Sequence, residues 1–119
     1  MEEFFVNSTY KGKFVRGQKH GTGYLNWNDG SIYVGEFYEG KICGSGTLTW
    51  PDKSKYEGTW QDNKQHGKGK HTKSNGHVYE GDFVNGHREG QGVMRYENGK
   101  VYKGEWRHGK RHGTGWWRT

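Results

Sequence analysis

The glycines of this chain fall on a ruler. Tyrosines stand at Tyr10, Tyr33, Tyr56, Tyr79 and Tyr102, 23 residues apart each time with no insertion or deletion. With each Tyr as position zero, Gly occupies position two (Gly12, Gly35, Gly58, Gly81, Gly104), position eleven (Gly21, Gly44, Gly67, Gly90, Gly113) and position thirteen (Gly23, Gly46, Gly69, Gly92, Gly115). Position seven has Gly17, Gly40, Gly86 and Gly109, with Asn63 as the exception; position twenty has Gly30, Gly76 and Gly99, with Lys53 as the exception. These five positions hold all 22 glycines of the 119-residue chain. A strict period of this length marks a repeat architecture, in which each unit is one supersecondary element stacked on the next. Asn adopts positive φ at less cost than other side chains, so Asn63 keeps to the rule it departs from.

Each copy reads as a hairpin. Positions zero, two and four are Tyr, Gly and an aromatic (Phe14, Phe37, Trp60, Phe83, Trp106), and a period of two places all three on one face of a strand. Gly between two rings leaves room for a side chain to lie against the backbone. Positions thirteen, fifteen and seventeen repeat the scheme, as in Gly23-Leu25-Trp27 and Gly46-Leu48-Trp50. Asn28-Asp29-Gly30, Pro51-Asp52-Lys53, Ser74-Asn75-Gly76 and Glu97-Asn98-Gly99 supply turns between copies. Glycine density and the lack of any 3.6-residue pattern exclude helices. The expectation is an all-β, single-layer antiparallel meander of about ten strands. Its copies span 10–32, 33–55, 56–78, 79–101 and a truncated 102–119. Residues 1–9 precede them, either as a frayed end or as the second strand of a partial leading copy, with Phe4 at position seventeen and Asn7 at a usual glycine site.

Leu, Ile, Val and Phe together number only 16 and there is no Ala, a composition that on its own points to disorder. Six Trp and eight Tyr in register argue for a fold built on aromatic ladders. Hairpins in isolation are barely stable, so the copies must stack. The third copy reads as the weakest, because His71 and Lys73 replace Leu48 and Trp50 of the second; its large Trp60 offsets this. Cys43 is the single cysteine, which points to a reducing compartment, and no apolar run reaches membrane-spanning length. A soluble, cytoplasmic protein is expected.

The pattern Tyr-x-Gly-x-Phe/Trp-x-x-Gly-x-x-x-Gly-x-Gly followed by a Gly-containing turn resembles the MORN (membrane occupation and recognition nexus) repeat, from Tyr10 to the end of the chain. The resemblance implies an elongated, twisted sheet with an aromatic-lined groove on one face, serving as a scaffold, tether or dimerisation device near membranes or the cytoskeleton. Binding of acidic phospholipids is a further implication, as is a place beside the catalytic domain of a larger enzyme.

Two surfaces follow as candidate sites. The first is a partner-binding groove of Tyr10, Phe14, Tyr33, Phe37, Tyr56, Trp60, Tyr79, Phe83, Tyr102 and Trp106, with Trp27 and Trp50. Rings of this kind either pack in ladders or anchor a peptide. The second is a basic rim at the within-copy links, Arg16, Lys19, Lys41, Lys64, Arg88, Arg107, Lys110 and Arg111, set against only Glu39, Asp62 and Glu89. An anionic membrane would dock there, although the surplus charge lies in the first and fifth copies. His20, His66 and His112 recur at position ten, but copies two strands apart hold them too far from one another for a shared metal. No catalytic motif and no cofactor or metal site is read. The sequence therefore points to a non-enzymatic scaffold that binds a protein segment, or a second copy through terminal strands. A peripheral tether for acidic phospholipid and a regulatory module of a larger enzyme are the alternatives, and nucleic acid is the poorest partner.

Overall fold

A computed structural model describes residues 8–118 and the backbone of residues 2–4. Eleven strands form one antiparallel sheet in sequence order: β1 (Glu2–Phe4), β2 (Ser8–Val15), β3 (Gln18–Trp27), β4 (Ile32–Tyr38), β5 (Lys41–Thr49), β6 (Lys55–Gln61), β7 (Lys64–Thr72), β8 (Val78–Val84), β9 (His87–Arg95), β10 (Val101–Arg107) and β11 (Lys110–Arg118). The sheet measures 49 × 24 × 18 Å with a radius of gyration of 16.0 Å. A compact chain of this length would have one of roughly 13.5 Å. The array is thus elongated, as stacking of hairpins requires.

β1 pairs with β2 one residue out of the repeat's register: Glu3 stands opposite Tyr10 and Phe4 opposite Thr9, whereas position seventeen for Phe4 would set Glu2 against Tyr10. The side chain of Phe4, and Asn7, lie outside the described residues.

The within-copy links are two-residue turns in which both residues have positive φ: Arg16-Gly17, Glu39-Gly40, Asp62-Asn63, Asn85-Gly86 and His108-Gly109. This is the dihedral signature of a type I′ turn, whose twist matches that of the flanking strands. Each later turn also donates its second N–H to the preceding copy, from Gly40 to Lys19, Asn63 to Ile42, Gly86 to Gln65 and Gly109 to Arg88. Asn63 adds a bond that Gly cannot, with the Ile42 N–H donating to its Oδ1 at 2.8 Å. At the other rim, Asp29, Asp52, Asn75 and Asn98 each accept from the backbone N–H two residues on. Lys53 takes a φ of 74° there without being Gly or Asn, a strained conformation.

Position eleven has a separate role. In β5, three residues, Cys43 to Ser45, stand opposite the single Glu36 of β4, and Gly44 makes this bulge at positive φ. The Glu36 carboxylate closes it, accepting the Ser45 N–H at 2.6 Å. Asp82 does the same for Gln91 at 3.0 Å.

Candidate functional site

The register sets the position-two and position-thirteen glycines against one another across every strand pair from β2 to β11: Gly12, Gly23, Gly35, Gly46, Gly58, Gly69, Gly81, Gly92, Gly104 and Gly115 form one continuous track. The position-zero tyrosines lie flat on it. A Cβ at Gly46 or Gly69 would fall inside the Tyr33 or Tyr56 ring. Four of the five hydroxyls donate to the carbonyl three residues on: Tyr10 to Lys13 at 2.8 Å, and Tyr33 to Glu36, Tyr56 to Thr59 and Tyr79 to Asp82 at 2.9 Å. Burial pushes the Tyr56 and Tyr79 hydroxyls up to about 12 and raises those of Tyr10 and Tyr33 as well.

Between tyrosines stand the position-four rings. Tyr10 meets both Phe14 and Phe37 edge-on, at 4.9 and 5.2 Å between centroids, and the pattern runs on through Tyr33, Trp60, Tyr56, Phe83, Tyr79, Trp106 and Tyr102. Edge-to-face contacts of this kind contribute about 0.5–1.5 kcal/mol each beyond area burial. Where position four is Trp, its Nε1–H reaches the preceding copy: Trp60 donates to the Gly46 carbonyl at 3.1 Å and Trp106 to that of Gly92 at 3.2 Å.

This ladder corrects the composition of the expected groove. Tyr10, Tyr33, Tyr56, Tyr79, Tyr102, Phe37, Trp60, Phe83 and Trp106 are all buried within the monomer, because each Tyr fills its glycine channel and is flanked by two rings. They form the floor. The rings a ligand can touch stand above it: Phe14, Trp27 and Trp50, with Leu48 and Tyr96, are partly buried, and Trp117 is exposed. Tyr96 and Trp117 stack at 5.6 Å with planes 17° apart. Both were legible as register positions seventeen and fifteen.

The cations divide differently from the rim expected for them. Arg16 is in a rim turn, Lys41, Lys64 and Lys110 open the strands that follow rim turns, and Arg107 closes β10; Lys41 Nζ lies 3.9 Å from Asp62. Lys19, Arg88 and Arg111, all at position nine, are paired across the strand with position-four rings and so share the ringed face. Lys19 Nζ lies 5.7 Å from the Tyr10 centroid. The Arg88 guanidinium lies 5.6 Å from Tyr79 and 4.8 Å from Trp106, and donates to the Gly109 carbonyl. Arg111 lies 5.5 Å from Tyr102 and 4.9 Å from Trp117. Cations over ring faces are held by the ring quadrupole.

The third copy adds two groups that the expected site omitted. His71 packs on Trp50 at 5.4 Å; burial lowers its pKa, and Lys73 and Arg88 push it the same way. Lys73 is lowered by burial and by Arg88. The sequence marks both only as weak points of the core.

Five consecutive units match the model of the MORN repeat, at residues 10–32, 33–55, 56–78, 79–101 and 102–118. The chain belongs to the MORN repeat family. MORN repeats are in general protein- or membrane-binding modules and typically non-enzymatic. No curated protein matches this MORN chain. Among its described residues no three of His, Cys, Asp and Glu converge as metal ligands. The position-ten side chains have local contacts instead: His20 lies 5.2 Å from Tyr38, and His66 Nδ1 accepts the Asn85 N–H at 3.3 Å.

Proposed function

We propose that this MORN array is a non-enzymatic scaffold that holds a segment of a partner protein along its ringed face, in the cytoplasm. The observation that carries the reading is a ring-floored strip whose upper row, Trp27, Leu48, Trp50 and Tyr96, is only partly covered by the chain itself. A single-layer sheet has no second layer to cover that row, and apolar surface left uncovered in a strip marks a contact face. Binding energy at such faces concentrates in a few aromatic anchors.

A lipid tether draws less support. Lys19, Arg88 and Arg111 are turned onto rings of the sheet face and Lys41 is beside Asp62, so the rim offers a broken row of charge to a membrane.

The test is affinity capture with Trp27→Ala, Leu48→Ala and Trp50→Ala combined, which spares the buried floor. Loss of the captured partner is expected from a variant that still unfolds in one cooperative transition, at a lower temperature because the three side chains pack on the ladder; an undiminished partner sinks the groove reading.

A further inference from the structure

We infer that the occupant of the ringed face is a bipartite segment, apolar where it crosses the first two copies and acidic where it crosses the third to fifth. The inference rests on the groove reading above and adds the chemistry of the ligand.

Copies one and two present Trp27, Leu48 and Trp50 above the ladder, with Leu25 and Ile42 buried beneath. Copies three to five present a different surface. Three depressions succeed one another across it, of about 310, 390 and 250 Å³. The first two share Lys73 and Arg88, and the last two share Tyr96 and Arg111, so together they form one trough. Lys73, Arg88, Lys100, Lys110 and Arg111 line it, and no Asp or Glu does. The register agrees: at no strand position from β6 to β11 does the ringed face carry a carboxylate. On the opposite face carboxylates stand among the cations, and Lys68 is paired to Asp82.

Arg88 and Lys73 line one trough, and Arg88 disfavours the charged form of Lys73. A cluster of cations in a trough that no carboxylate lines, with Asp52 acting only on His71 at its first end, is the electrostatic complement of a carboxylate-bearing segment. Trp50 to Arg111 spans six strand spacings, roughly 29 Å, which is about nine residues of extended chain or about 19 of helix. The trough is bounded by the Trp50–Lys73–Tyr96 row on one side and the position-nine cations on the other. A bilayer surface is flat on this scale and reaches the outer edges of such a trough before its floor.

The experiment is selection of a phage-displayed library of random 20-residue peptides on the intact protein. Enrichment of Asp and Glu in one half and of Leu, Phe or Trp in the other is expected. The enriched peptide should lose on the order of tenfold in affinity or more when its carboxylates become Gln, or against Lys73→Glu or Lys100→Glu, two side chains outside the buried ladder. It should also weaken steeply with added salt. Enriched apolar peptides without acidic residues leave the groove reading standing and overturn this inference. No enrichment at all removes both. A third result also overturns it: binding of phosphatidylserine vesicles, lost in Lys73→Glu, with no peptide bound.

Discussion

The two halves of the ringed face have the same floor and different tops. In copies one and two the row above the ladder is Trp27, Leu48 and Trp50; in copies three to five it is His71, Lys73, Tyr96 and Trp117, with Arg88 and Arg111 laid over the rings. Beneath both runs one glycine track under one tyrosine row. The lesson is a division of labour by depth. Positions that touch the track admit a single solution, whereas positions fifteen, seventeen and nine are free to differ from copy to copy, and a ligand meets the chain there.

Substitutions separate the two layers. Gly46→Ala in the apolar half and Gly92→Ala in the basic half should be equally damaging, by about 3 kcal/mol each, because a Cβ at either site enters the ring of the preceding Tyr33 or Tyr79. Urea unfolding checks this, and a large difference between the two would break the claim of a common floor. Next in size, His71→Leu with Lys73→Trp gives copy three the upper row of copy two. It should raise stability by about 2 kcal/mol while abolishing the acidic preference of the trough.

His71 also carries a pH signature. Its folded pKa lies below that of the unfolded chain, so its contribution is intact above about pH 6.5 and is lost as pH falls through the folded value. Thermal melts from pH 7 to 5 should show acid destabilisation that His71→Leu reduces. The tyrosines act in the opposite direction: with folded pKa values near 12 at Tyr56 and Tyr79, stability is full below about pH 10 and falls as pH rises toward 12. Thermal melts between pH 9 and 12 check this.

Smaller effects test the copy-to-copy locks. Trp60→Phe should cost about 1 kcal/mol through the lost bond to Gly46, whereas Phe83→Leu loses ring contacts alone. Lys53→Gly, which relieves a φ of 74°, should stabilise by about 1 kcal/mol. Differential scanning calorimetry resolves both.

Much of this was legible before any coordinates. The 23-residue period, the alternation of Tyr, Gly and ring, and the Asp-Gly and Asn-Gly turns led to an antiparallel meander, because a strand's period of two and the left-handed preference of glycine are local properties. Asn63 in place of Gly was readable for the same reason. The site was legible only in outline. The alternation placed the rings on one face but could not say which were covered, since the burial of Tyr33 is completed by Trp60 of the next copy. Charge counted by link assigned Arg88 and Arg111 to a rim, and the cross-strand pairing of positions four and nine turned them onto the face.

The sequence by itself determined the repeat, the hairpin, the turns and the family, all of which depend on residues close together in the chain. Only the tertiary structure decided that the tyrosines are floor and not contact surface, and that Lys73, Arg88 and Arg111 share one trough. Those facts depend on which copy lies against which and in what register, and stacking fixes the register only when rings from neighbouring copies fill one glycine track.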